Sequence, residues 1–105
     1  MKTIKRRYLA LEIDCEKMAE SGEFMGAVWD ALVRLYGEHG ASQTGLGLIH
    51  YDSGERYAVI RTGHTALDMV RAALASMTQI RDKPAAVHVL RISGTIKALQ
   101  KETAR

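Results

Sequence analysis

The stretch Leu48-Ile49-His50-Tyr51-Asp52-Ser53-Gly54-Glu55-Arg56-Tyr57-Ala58-Val59-Ile60-Arg61-Thr62 sets the fold class. Leu48 to Tyr51 and Arg56 to Thr62 are rich in β-branched and aromatic residues, and Asp52-Ser53-Gly54-Glu55 between them is a turn signal, so the stretch predicts a β-hairpin. Each side of it carries a helical pattern. Upstream, Phe24, Val28, Leu32, Leu35 and Tyr36 form an apolar stripe at three- and four-residue steps, with Ser21 as the expected cap and Gly37 and Gly40 as stop signals. Downstream, Leu67, Val70, Leu74 and Met77 repeat at helical spacing behind Thr65, another capping residue.

The outermost segments complete the pattern. Leu9, Leu11 and Ile13 alternate on one face of a strand that follows Lys5-Arg6-Arg7 directly, and Pro84 marks the break before a last strand over Ala86 to Ile92. Beyond it, Ser93 or Thr95 can cap a short third helix that projects Lys97 and Lys101 on one face. Strand, helix, strand, strand, helix, strand is the split βαβ order of ferredoxin-like domains. The expected fold is therefore α+β, a four-stranded antiparallel sheet with two helices on one face and a short C-terminal helix. The 105 residues, 47% hydrophobic, suit one domain, with a basic arm over 1–7 and a basic tail over 94–105.

Charge is segregated along the chain. Residues 1–7 carry Lys2, Lys5, Arg6 and Arg7 and no acid, and residues 91–105 carry Arg91, Lys97, Lys101 and Arg105 against Glu102 alone, while the segment between is acidic in balance. In the split βαβ order the last strand neighbours the first, so the two basic ends converge, an electrostatic footprint for a polyanion such as nucleic acid. Lys5, Arg6, Arg7, Arg61, Arg91, Ser93, Lys97 and Lys101 are the candidate RNA contacts, mainly to phosphate. Tyr8 and Tyr57 could offer rings on two strands, but the last strand supplies none, which argues against base stacking across the sheet. Trp29, the only tryptophan, is assigned to packing or to a protein interface.

Polypeptide catalysis is poorly supported by the residues. The four histidines fall on different elements without metal-ligand spacing, and Cys15, the only cysteine, lies between Asp14 and Glu16 in a setting that disfavours a nucleophilic thiolate. One cysteine excludes an intramolecular disulfide. Gly40-Ala41-Ser42-Gln43-Thr44-Gly45-Leu46-Gly47 reads as a flexible loop and lacks the Lys-Ser or Lys-Thr ending of a nucleotide-binding P-loop. No run approaches the roughly 18 apolar residues of a membrane span, and the first seven residues do not look like a secretory signal, so a cytoplasmic protein with no membrane partner is expected.

Three strings carry a family resemblance: Ala27-Val28-Trp29-Asp30-Ala31-Leu32, Leu35-Tyr36-Gly37-Glu38-His39-Gly40 and Ser93-Gly94-Thr95-Ile96-Lys97. In this order they resemble the protein component 2 family of archaeal ribonuclease P. Arg61 and Val70-Arg71-Ala72-Ala73-Leu74 fit the same pattern, and the resemblance runs from Tyr8 to about Lys101, weakest over 15–20 and 41–46. It implies a protein subunit of the ribonucleoprotein that removes the 5′ leader from precursor tRNA, with the RNA subunit as the catalyst and user of Mg2+. It further implies no cofactor on the protein, and assembly with ribonuclease P RNA, other ribonuclease P proteins and the larger component 3 protein, two copies of each. Two other readings fit the residues: a ferredoxin-like regulatory module whose Gly-rich loop closes on an anionic metabolite, and a purely structural adaptor.

Overall fold

The computed structural model describes residues 5–97. In chain order the elements are β1 (Arg6–Cys15), α1 (Ser21–Ser42), β2 (Gly47–Asp52), β3 (Tyr57–Gly63), a 3-10 turn (His64–Ala66), α2 (Leu67–Ser76), β4 (Gln79–Ile80) and β5 (Lys83–Ser93). They form an α+β domain whose single antiparallel sheet has the order β2-β3-β1-β5-β4. The four long strands follow the expected order. The fifth strand, β4, corrects the expectation of four.

β4 escapes a sequence reading because its turn lacks the usual residues. Ile80 pairs with Lys83 and Gln79 with Pro84 across a two-residue turn in which Arg81 (φ 48°) and Asp82 (φ 68°) both lie in the left-handed region. Such turns match the twist of the flanking strands and normally use Asn-Gly or Gly-Gly. Pro84 therefore lies inside β5, near its start, rather than before it. An ion pair of 2.6 Å from Arg81 to Glu23 ties this turn to the first turn of α1. The C-terminal helix expected over 94–105 falls largely outside the described residues.

β1 is paired on both edges, to β3 and to β5, and its alternation divides the two faces of the sheet. Leu9, Leu11 and Ile13 point inward with Ala58 and Ile60 of β3 and Val87 of β5, and meet Phe24, Val28, Ala31 and Leu32 of α1 and Val70, Ala73 and Leu74 of α2. Both helices thus cover one face. Two strand bulges leave Ile49 and Leu90 unmatched between successive cross-strand partners, and both side chains are exposed.

Helix starts depart from the sequence reading in two places. Glu20, not Ser21, caps α1, with the Glu23 carboxylate accepting a hydrogen bond from the Glu20 amide at 3.0 Å. Gly37 (φ 77°, ψ 169°) is non-helical and ends the first helical run of α1 at the expected stop signal, after which a second short run continues to Ser42. The kink separates the buried stripe Phe24 to Leu32 from Ala41, which is buried beyond it, and Leu35 and Tyr36 are exposed rather than packed. α2 is capped by Ala66 and entered through the 3-10 turn, so Thr65 does not cap it.

The segment between α1 and β2 is clamped. Thr44 is fully buried, its hydroxyl donates to the Ala41 carbonyl at 2.8 Å, and its carbonyl accepts from the Gly63 amide at 2.8 Å and the Thr62 hydroxyl at 2.7 Å. This corrects the flexible-loop reading, since a loop so fixed to β3 is not a lid. Replacing Thr62, itself fully buried, by Val removes one of these bonds, and urea denaturation should register a loss of about 1 kcal/mol.

Tyr51 reaches back under β2 to donate its hydroxyl to the Ala19 carbonyl, and its ring packs 5.6 Å from that of Phe24. Burial, then the nearby Cys15 and Glu23, raises its phenol above the ordinary 10.0. A raised acid favours the proton-bound folded state, so this contribution is intact below pH 10 and is lost as pH rises through the folded-state value. Tyr51→Phe should remove part of the alkaline loss of stability, read as a flatter dependence of the urea midpoint on pH above 10.

Candidate nucleic-acid interface

The antiparallel sheet brings four strand ends together. Arg6 pairs with Gly63, Tyr8 with both Arg61 and Ser93, and Gly47 with Arg61, so the start of β1, the start of β2, the end of β3 and the end of β5 share one end of the sheet. Lys5, Arg6, Arg7, Arg61, Arg91, Ser93 and Lys97, all expected from the sequence to meet RNA, belong to these segments. Residues 5–8, 44–48, 60–64 and 91–97 contain no acid. Lys101 lies outside the described residues.

The opposite end has the other sign. Glu12 and Asp14 near the end of β1, and Asp52 and Glu55 at the β2–β3 turn, stand there with Arg56 and Lys83. Arg56 is spoken for: its guanidinium donates to the Cys15 carbonyl and, at 3.0 Å, to the Glu16 carbonyl, and lies 3.4 Å from the Cys15 sulfur. A charge gradient therefore runs along the strands, from a basic end to a mixed, acid-rich one.

Local contacts fix the basic end. The His64 amide donates to the Lys5 carbonyl at 2.9 Å, which ties the start of β1 to the end of β3. Arg7 donates to the Arg6 carbonyl at 3.0 Å and its guanidinium lies beside Gly94, where an added Cβ would stand 3.7 Å away. The Ser93 hydroxyl accepts from the Thr95 amide at 3.3 Å and turns the chain as it leaves β5. Arg6, Arg91 and Lys97 are exposed.

On the face not covered by helices, Ala10 and Val59 form a small buried patch, with Tyr8 and Tyr57 packed against it and the His50 ring 6.1 Å from that of Tyr57. The two tyrosines thus pack on their own sheet. Trp29 does not join the core; it is 38% exposed on the outer side of α1, the helix that also exposes Leu35 and Tyr36. Sequence reasoning missed Gly47, whose partner on β3 is Arg61; a glycine opening a strand, a mark of close approach, was the available signal. Among the described residues no group of three or more His, Cys, Asp or Glu could hold a metal ion, and no helix is long and apolar enough to cross a membrane.

A small α+β protein with Lys5, Arg6, Arg7, Arg61, Arg91 and Lys97 brought to one sheet end has the electrostatic footprint of a polyanion-binding protein. The chain is a member of the Rpp14/Pop5 family, whose model matches residues 7–104. It is 33% identical over 93 residues to ribonuclease P protein component 2 of Methanosarcina mazei, covering 89% of this chain and 78% of that protein. It is 31% identical over 98 residues to ribonuclease P protein component 2 of Pyrococcus furiosus, covering 93% and 82%. A chain in the cryo-EM structure of yeast ribonuclease MRP shares the fold, with a TM-score of 0.73 at 17% identity over 97% of this chain and 93% of that one.

Arg6→Glu, at the basic end, should weaken binding to a ribonuclease P RNA transcript and reduce the salt dependence of the affinity, by about one unit of slope for each phosphate no longer neutralised. Lys83→Glu, at the other end of the sheet, should leave the slope unchanged in the same filter-binding titration.

Proposed function

We propose that the basic end of the sheet, with Lys5, Arg6, Arg7, Arg61, Arg91, Ser93 and Lys97, is where this ribonuclease P protein subunit meets phosphates of the ribonuclease P RNA, and that Lys101 is a further phosphate contact. The convergence of four acid-free segments from distant parts of the sequence supports this most directly. Clustered cations displace condensed counterions from RNA, which gives binding that depends on salt and hardly on base identity.

The reaction in this reading is removal of the 5′ leader from precursor tRNA in the cytoplasm. The RNA subunit performs the chemistry with Mg2+, and the protein contributes no catalytic group. Its contribution is electrostatic: neutralised backbone lets RNA segments pack closely without mutual repulsion. The larger component 3 protein is the proposed protein partner, in an assembly with two copies of each, and other ribonuclease P proteins join it. Trp29, Leu35 and Tyr36, exposed on α1, are the apolar groups offered to protein.

Reconstituted cleavage of precursor tRNA by ribonuclease P RNA, with component 3 and with or without this chain, tests the reading. Omitting the chain should lower the rate at limiting Mg2+, and excess Mg2+ should restore it, because added cations replace the missing positive charge. Equal rates with and without the chain at every Mg2+ concentration would contradict it.

A further inference from the structure

Arg61 differs from the other cations of the basic end in how it is held. Its guanidinium lies against the start of β2: a Cβ added at Gly47 would fall 2.9 Å from Cζ and 3.1 Å from Nε, and closer still to Nη2. Only glycine leaves that space. The Nε of Arg61 is buried with no hydrogen-bond partner, and no carboxylate pairs with the guanidinium among the described residues. Burying a charged donor without an acceptor is unfavourable, and with Nε closed off from solvent it is the Nη groups that are left to meet a partner from outside the chain.

We propose that Gly47 and Arg61 form a built anion seat for one RNA phosphodiester, with Arg61 as the binding fork and Gly47 as the residue that positions it. The chemistry fits at each step. The buried Nε is closed to a ligand, so the two Nη groups at the end of the guanidinium present the paired N–H donors, matched by two oxygens of a phosphate. Resting on the Gly47 backbone limits the rotamers of Arg61, so little side-chain freedom is lost when the anion arrives. Arg6 and Arg91 lie on strands flanking this end and add positive potential, which favours a ligand with repeated negative charge over an isolated carboxylate. The seat rests on the reading of the basic end as RNA-facing and adds to it a specific geometry.

The test measures affinity for a ribonuclease P RNA transcript in the absence of other proteins, at fixed salt, for the intact chain and for Arg61→Gln, Arg61→Lys, Gly47→Ala, the Gly47→Ala/Arg61→Gln pair and Arg6→Gln. Gly47→Ala adds no charge change, and the group in its way is the end of a flexible side chain, so thermal melting should stay close to that of the parent. Arg61→Gln should weaken binding about tenfold, the scale of a charge-assisted hydrogen-bonded pair. Gly47→Ala should weaken it comparably by displacing the fork, and the double variant should be no weaker than Arg61→Gln alone. Arg61→Lys, with the charge but not the fork, should bind several-fold less well than the parent.

Parent-like binding by Gly47→Ala or Arg61→Lys, or a double variant whose losses multiply, would overturn the seat. If Arg6→Gln weakens binding while every Arg61 variant is neutral, the seat fails and the RNA-facing reading stands. If Arg6→Gln and the Arg61 variants are all neutral, both fail. Variants that keep RNA binding but lose association with the component 3 protein would assign the fork to a partner carboxylate and equally overturn the proposal.

Discussion

The double pairing of β1 is the constraint on which the rest of the molecule depends. With β3 on one side and β5 on the other, the strand is paired along both edges, which lets Leu9, Leu11 and Ile13 be buried under two helices. Antiparallel pairing on both sides has a second effect: it brings the end of β3 and the end of β5 to the start of β1. The basic end is thus a product of topology. Lys5 to Arg7, Arg61 and Arg91 to Lys97 are far apart in sequence, and no local element could bring them together.

Gathering like charges costs stability through mutual repulsion, and the structure limits that cost by keeping most of these side chains solvated. Arg7 and Arg61 are half-buried, and Arg61 lies against Gly47. The helical layer provides the compensating stability, since its contacts with β1, β3 and β5 are almost entirely apolar and insensitive to salt. Stability resides on one face of the sheet and charge at one end of it, so changes to either can be made nearly independently.

Much of this was legible in the sequence, because the signals were local. The alternation of Leu9, Leu11 and Ile13 and the helical repeat of Val70, Leu74 and Met77 report directly on burial, and strand order follows from the element order. What was not legible depended on contacts between distant residues. Arg81-Asp82 looks like an ordinary charged pair and becomes a left-handed turn only because Ile80 is drawn into the core beside β5. Thr44 reads as a loop residue until its carbonyl meets Thr62 and Gly63. The candidate cations could be named from charge and position, whereas the distinction between a solvated Arg91 and a seated Arg61 needed Gly47 beside it.

Chemical footprinting of the subunit on its RNA addresses the central claim most directly, with acetylation reporting lysines and phenylglyoxal reporting arginines, residue by residue, by mass spectrometry. RNA should protect Lys5, Arg6, Arg61, Arg91 and Lys97 together while Lys83, at the other end of the sheet, reacts as in the free protein. Protection of Lys83 with continued reactivity of Arg6, Arg61 and Arg91 would contradict an RNA-facing basic end.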